Sequence, residues 1–214
     1  VFRRYRPYRK GEFYLVAADT SAGGGDFCAA QFLSKTHLDV PSVYHSPDTA
    51  TSMTPLIHEE LEQIFDITGV KPVVAYERAN GGAFEMDRLA SLNRLGKYTI
   101  FVMPGYGQVE NVESKKLGWD TNTATRPNMQ KELKDAIDNQ LITLYDKPTI
   151  SELFSFIVVQ TSSSWKAQAE KNAHDDLVMA LAIAWQMYQI CETPEEPIKN
   201  DDFPEDNLFQ GGWY

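Results

Sequence analysis

Residues 12–19 read EFYLVAAD, an apolar run that closes on an acid. The run suits a buried central strand. The next stretch, SAGGG at 21–25, must turn. Residues 26–34 (DFCAAQFLS) then read as a second strand. The span 12–34 is therefore a hairpin whose turn is longer than the tight two-residue type.

The pattern continues outward from this hairpin. Residues 38–46 hold a third strand, and Pro41 within it favours an edge or a bulge. In 53–68, Leu56, Ile57, Leu61, Ile64 and Phe65 fall at helical spacing, with Pro55 in the first turn and Gly69 as the stop. PVVAYE at 72–77 is a short apolar strand, again ending in an acid, Glu77. After Asn80-Gly81-Gly82, residues 83–95 read as a helix with Phe84, Leu89, Leu92 and Leu95 apolar, capped by Gly96. TIFVM at 99–103 reads as a buried strand, and 104–123 as a long functional loop. Helices are expected at 127–139 and 149–157, a short strand at 142–145, and a polar hairpin or flap across 156–168. Residues 173–190 are apolar on nearly every face after their opening acids, which predicts a buried helix. An antiparallel meander followed by strand–helix units makes an α/β protein, a mixed central sheet with helices on both faces.

A chain of 214 residues suits one such domain. The boundaries read as a basic linker or arm at 1–11, the domain at 12–191 and an acidic tail at 192–214. The start at Val1 suggests a fragment of a longer chain. Cys28 and Cys191 lie far apart and form no metal-ligand spacing or disulfide framework, so both read as reduced packing residues of a cytosolic protein. No segment reaches the length of a membrane span. The net charge of −10 opposes nucleic-acid binding, which needs Lys and Arg. Its distribution weakens the objection, because Arg3, Arg4, Arg6, Arg9 and Lys10 open the chain while acids concentrate in the tail.

Three acidic positions stand at element ends: Asp19, Glu77 and the Asp175–Asp176 doublet. Open α/β sheets build their sites at the carboxyl ends of strands. If the strands carrying Asp19 and Glu77 are parallel neighbours, both acids emerge together, and the last helix could add Asp175 or Asp176. Such a cluster needs a cation, because like charges raise one another's pKa. Oxygen ligands select a hard divalent ion such as Mg²⁺, and two ions would suit in-line phosphoryl displacement. In that arrangement Asp19 bridges two ions, Glu77 holds one, and Asp175 and Asp176 hold the other. Each acid also has a local reading. Asp19 could cap the glycine turn, Glu77 could be a surface acid, and the doublet could complement a helix dipole.

The segments AADTSAGGGD (17–26), VVAYERANGG (73–82) and AHDDLVMALAIA (173–184) resemble the three acidic motifs of the nuclease domains of tailed-phage large terminases. GWDTNTATRPNMQKEL (118–133) is similar to a further segment of that family. The resemblance covers nearly all of 12–190. It implies a ribonuclease H-like fold and Mg²⁺- or Mn²⁺-dependent cleavage of concatemeric viral double-stranded DNA during packaging in the host cytoplasm. It matches Asp19, Glu77 and Asp176 to the acidic triad, Asp175 to a neighbouring acid and Asp26 to an accessory acid. It also implies an N-terminal ATPase domain on the same polypeptide, a portal protein and a small terminase subunit as partners. No G-x-x-x-x-G-K-[ST] phosphate loop is present, so translocation is not assigned to this stretch.

Other residues keep two readings. Asn80 serves a turn or positions DNA or water. His174 starts a helix or moves a proton beside the acids. Arg126, Lys131 and Lys134 form a solvated face or a phosphate-contacting ridge. Trp119 and Tyr106 pack, or stack on DNA. Competing functions are a Holliday-junction resolvase or transposase-like nuclease, and a docking module of the packaging motor with degenerate acids.

Overall fold

The structure, a computed structural model, describes residues 1–21, 26–103, 116–123, 125–160, 165–169 and 174–194. At its centre β2 (Tyr14–Asp19) pairs antiparallel with β3 (Cys28–Ser34), the hairpin expected from 12–34. β3 pairs antiparallel with β4 (Asp39–Ser46). The register slips between Phe32 and Ser34, opposite Pro41, so the proline sits at a bulge where a missing N–H breaks no ladder. On the other side of β2, β5 (Val73–Tyr76) and then β6 (Thr99–Ile100) run parallel. β1 (Phe2–Arg4) and β7 (Thr143–Leu144) both pair with β4, giving the order β1-β4-β3-β2-β5-β6. β8 (Phe156–Gln160) and β9 (Trp165–Ala169) pair antiparallel as a separate two-stranded sheet, where a polar hairpin or flap was expected.

Strand parity sorts the side chains. Tyr14, Val16 and Ala18 of β2, with Val74 and Tyr76 of β5, pack under α1 (Ala50–Thr68) and α2 (Gly82–Leu92). Leu15 and Ala17, with Ala75, face the opposite core. That core is made by α3 (Thr125–Asp138) and α5 (Asp176–Ile190), with α4 (Lys147–Ser155) packed against α5. Side chains alternate faces along a strand. Asp19 and Glu77 therefore continue the parity of Leu15–Ala17 and Val73–Ala75, toward α5.

Several expectations are corrected. The segment 1–11 is no free linker: β1 closes the sheet edge and its arginines are spent on internal acids. Arg3 grips Asp146 through two bonds (2.5 and 2.9 Å), Arg4 pairs with Glu60, and Arg6 holds Asp39 (2.6 Å twice) and Glu12 (3.0 Å). Buried Tyr8 donates to Glu60. α1 begins at Ala50, so Pro55 lies past its first turn. The carbonyl of Thr51, which proline cannot bond, accepts Arg88 Nη1 at 2.8 Å instead. α2 ends at Leu92. Phe84 and Leu95 are 72% and 71% exposed, while Glu85 is buried because Thr51 and Arg88 bond its carboxylate. Of 99–103 only two residues join the sheet, and Val102 makes an isolated bridge to Leu117. Within 104–123, residues 104–115, including Tyr106, lie outside the described set, as does 195–214 of the tail.

Candidate metal centre

β2 and β5 are parallel and in register, Ala18 opposite Tyr76. The next residues are Asp19 and Glu77, and the Glu77 N–H bonds the Ala18 carbonyl at 2.7 Å. The two carboxyl groups thus leave neighbouring strand ends on one face, and their side chains share a hydrogen bond. Asp19 is 8% exposed. Burial drives its pKa well above the carboxylate range, and the charges of Glu77, Asp176 and Asp175 add to the rise.

The backbone around the pair is tightly held. Thr20 Oγ1 donates to the Ala79 carbonyl (3.0 Å) and more weakly to that of Glu77 (3.4 Å). Buried Cys28 Sγ accepts the Ser21 N–H (3.2 Å), and Ser21 Oγ donates to the Asp26 carbonyl (3.0 Å), which ties Ser21 to the start of β3. After Glu77, Asn80 and Gly81 are both left-handed (φ 51° and 89°), and the chain reverses into α2. Gly82 lies so close that a Cβ there would sit 1.8 Å from the Glu77 carbonyl oxygen. Trp119 bridges to Glu77 on the far side, its N–H on the Tyr76 carbonyl and its carbonyl on the Arg78 N–H (2.8 Å each). Its ring is buried and donates to Met129 Sδ, so it packs.

The third acidic element arrives on α5. Asp175 holds the N-cap position, but its side chain caps nothing; it bonds Arg126 Nη2 at 2.5 Å. Asp176 accepts the Phe27 backbone N–H. Its Oδ2 is buried without a hydrogen-bond partner among the described residues, 3.7 Å from His174 Nδ1. Burial raises the Asp176 pKa, and Asp175 and Asp26 add to the rise. One residue that sequence reasoning missed joins them. Glu152 of α4 accepts the N–H groups of Leu177 (2.9 Å) and Val178 (3.3 Å). Its carboxyl is pushed up to about 7 by burial, with Asp176 and Asp175 adding to the rise.

The structure therefore brings Asp19 and Glu77 into contact and sets Asp176 within electrostatic reach of Asp19. No three His, Cys, Asp or Glu among the described residues stand close enough to form a finished ion cage. The donors nonetheless fit a hard divalent ion. They are carboxylate oxygens, two with raised pKa, and one buried oxygen lacks a partner. The remaining candidates lie further out. Asp26, Asn80 and His174 are exposed at the rim. Lys131 and Lys134 face solvent, Lys134 paired with Asp138, whereas Arg126 turns inward to Asp175.

No family model matches the sequence, and no curated protein matches it. Solved structures do. The large terminase nuclease domain of Thermus phage P74-26 aligns over 92% of this chain and 87% of its own, at a TM-score of 0.60 and 17% identity. The fold is that of the large terminase nuclease domains. The large terminase nuclease of thermophilic phage G20c, with bound magnesium, aligns at a TM-score of 0.57 and 18% identity, covering 86% of this chain and 84% of that one. The manganese-soaked terminase nuclease domain of human cytomegalovirus aligns at 0.55 and 11% identity, over 83% of each chain. At these identities the terminase likeness establishes the mixed, ribonuclease H-like architecture expected from sequence. No helix among the described residues is long and apolar enough to cross a membrane.

Proposed function

We propose that this chain is a divalent-metal-dependent endodeoxyribonuclease that cuts concatemeric viral double-stranded DNA during genome packaging. The observation that carries the proposal is the contact of Asp19 with Glu77 at neighbouring parallel strand ends, with Asp176 Oδ2, which has no hydrogen bond among the described residues, on the same side. A buried acid against a half-buried one, beside a third carboxylate, is costly unless positive charge is supplied. The metals carried by the terminase nucleases of phage G20c and human cytomegalovirus, magnesium and manganese, support that source.

Asp19, Glu77 and Asp176 would hold Mg²⁺ or Mn²⁺. Asp176 is preferred over Asp175 because Arg126 already engages Asp175. Bound there, the ions supply positive charge at the scissile phosphate and acidify the attacking water. Residues of the chain do the rest. Thr20 and Gly82 fix the Glu77 backbone. Exposed His174, beside Asp176, can accept or return a proton. Arg126 presents a cation at the rim, where a phosphate backbone would approach. The net charge is −10, so DNA binding by this chain alone is expected to be weak and salt-sensitive. In the packaging reading the partners are an ATPase domain of the same polypeptide, a portal protein and a small terminase subunit, in the host cytoplasm.

Plasmid nicking with Mn²⁺ tests the activity. The wild type converts supercoiled to open-circular and linear DNA, EDTA stops it, and Asp19→Asn abolishes it. Equal conversion by wild type and Asp19→Asn would overturn the assignment.

A further inference from the structure

The Asp175–Asp176 doublet opens a helix, yet neither acid serves that helix as a cap. The first N–H groups of an α-helix have no partner within it, and a side chain at the N-cap usually accepts one. Asp175 stands at that position on α5 and is suited to the task. Its side chain makes no cap bond and reaches Arg126 instead. Asp176 turns to the Phe27 N–H and leaves Oδ2 without a hydrogen bond among the described residues. The capping is done from outside the helix by Glu152, on the Leu177 and Val178 N–H groups.

Glu152 is itself firmly set. Buried Gln31, in the middle of β3, donates through Nε2 to the Leu177 carbonyl (3.1 Å) and to Thr149 Oγ1 (3.0 Å). Thr149, one turn before Glu152 on α4, donates through N and Oγ1 to Asp146 Oδ2 (2.9 and 2.7 Å). The first turns of α4 and α5 are thus tied to each other and to the sheet by a buried polar network. A third carboxylate beside two others is electrostatically unfavourable. The positive end of the helix and two N–H donors offset that cost.

We propose that Glu152 is a positioning residue: by capping α5 from the neighbouring helix, it relieves Asp175 and Asp176 of that task and leaves Asp176 Oδ2 aimed for divalent-ion binding. The inference rests on the nuclease reading above. Outer-shell groups that orient ligands change metal affinity by about 10–100-fold when removed.

The test uses the full chain, as wild type, Glu152→Ala and Glu152→Gln. Three quantities are read: hydrogen exchange at the Leu177 and Val178 amides, Mn²⁺ affinity by calorimetry, and plasmid nicking against Mn²⁺ concentration. Glu152→Ala is expected to lose amide protection and to weaken Mn²⁺ binding about 10-fold or more. Its half-maximal Mn²⁺ for nicking rises in step, while the rate at saturating Mn²⁺ stays close to wild type. Glu152→Gln keeps a carbonyl acceptor for both amides and is expected to restore affinity to within about 3-fold. Unchanged Mn²⁺ affinity in Glu152→Ala, despite exposed amides, overturns the positioning role. Glu152→Gln as damaged as Asp176→Asn also overturns it, because Glu152 would then be a ligand. Should Glu152→Ala fail to fold, Glu152→Leu, which keeps the bulk but offers the amides no acceptor, takes its place in the same three measurements. A wild type that neither binds Mn²⁺ nor nicks overturns the nuclease reading and this inference together. A wild type that does both, beside unaffected variants, overturns this inference alone.

Discussion

Replacing Gly82 with alanine should unseat Glu77. An ideal Cβ at Gly82 falls 1.8 Å from the Glu77 carbonyl oxygen and 2.8 Å from Thr20 Oγ1. A comfortable carbon–oxygen approach is about 3.3 Å, so α2 and the end of β5 must part by about 1.5 Å. The obstacle is backbone against backbone, which no rotamer change relieves. Overpacking costs about 1–3 kcal/mol, and this contact belongs at the top of that range. For a chain of this length, about 3 kcal/mol lowers Tm by about 6–12 °C. The neighbouring Gly81 supplies the control. Its φ is +89°, with nothing within 4 Å of a Cβ. Gly81→Ala therefore carries torsional strain alone, about 1–2 kcal/mol. Thermal denaturation in EDTA compares the two directly, and nicking with Mn²⁺ reads the site. A misplacement of about 1 Å can cost about 100-fold in rate, so Gly82→Ala should lose most of its activity. If Gly82→Ala melts no lower than Gly81→Ala and cuts normally, the close approach of α2 to Glu77 does not set the site.

Arg6→Ala takes the guanidinium from Asp39 and Glu12, both buried acids, and leaves them chiefly neutral partners such as Tyr145 and Tyr14. Breaking such a set costs about 3–5 kcal/mol, readable as a shifted urea midpoint. The Asp19 carboxyl has a folded pKa raised by burial and by Glu77, so it favours folding at low pH and loses that contribution as pH rises through the raised value. In EDTA, Asp19→Asn should therefore raise Tm at neutral pH and flatten the decline of Tm above about pH 4, the ordinary carboxylate value. Asp146 behaves oppositely. Burial would raise it, but Arg3, Tyr5 and Thr149 outweigh burial and hold it at about 2. Its contribution is complete above the ordinary value and lost as pH falls toward 2, so Asp146→Asn should flatten the acid limb of the Tm profile.

The parts of the site legible in the sequence were those written as pattern. EFYLVAAD and PVVAYE each end an apolar run on an acid, and an apolar run implies a strand whose end is a defined place. Parity then carries Asp19 and Glu77 to one face without any knowledge of side-chain packing. The buried helix announced itself by being apolar all round. What stayed hidden depended on contacts distant in sequence. β1 has two arginines among three residues and no apolar alternation, and it is held to β4 by partners distant in sequence: Phe32 and Tyr44 pack on Phe2, and Asp146 and Glu60 bind its guanidinium groups. Glu152 lies 25 residues from the amide it caps, and on its own helix it resembles any surface acid. The face of α2 was misread because Glu85 is buried by partners on α1 and on its own next turn, while Phe84 points outward. The pairing of Arg126 with Asp175 likewise joins α3 to α5 through tertiary structure alone.

The central claim is that Asp19, Glu77 and Asp176 together hold divalent metal. Anomalous diffraction from a Mn²⁺-soaked crystal measures this most directly. The account predicts peaks with oxygens of all three residues about 2.0–2.3 Å away, the range of small hard cations. Peaks lying elsewhere, or a soaked crystal in which these carboxylates bind no ion, would contradict it.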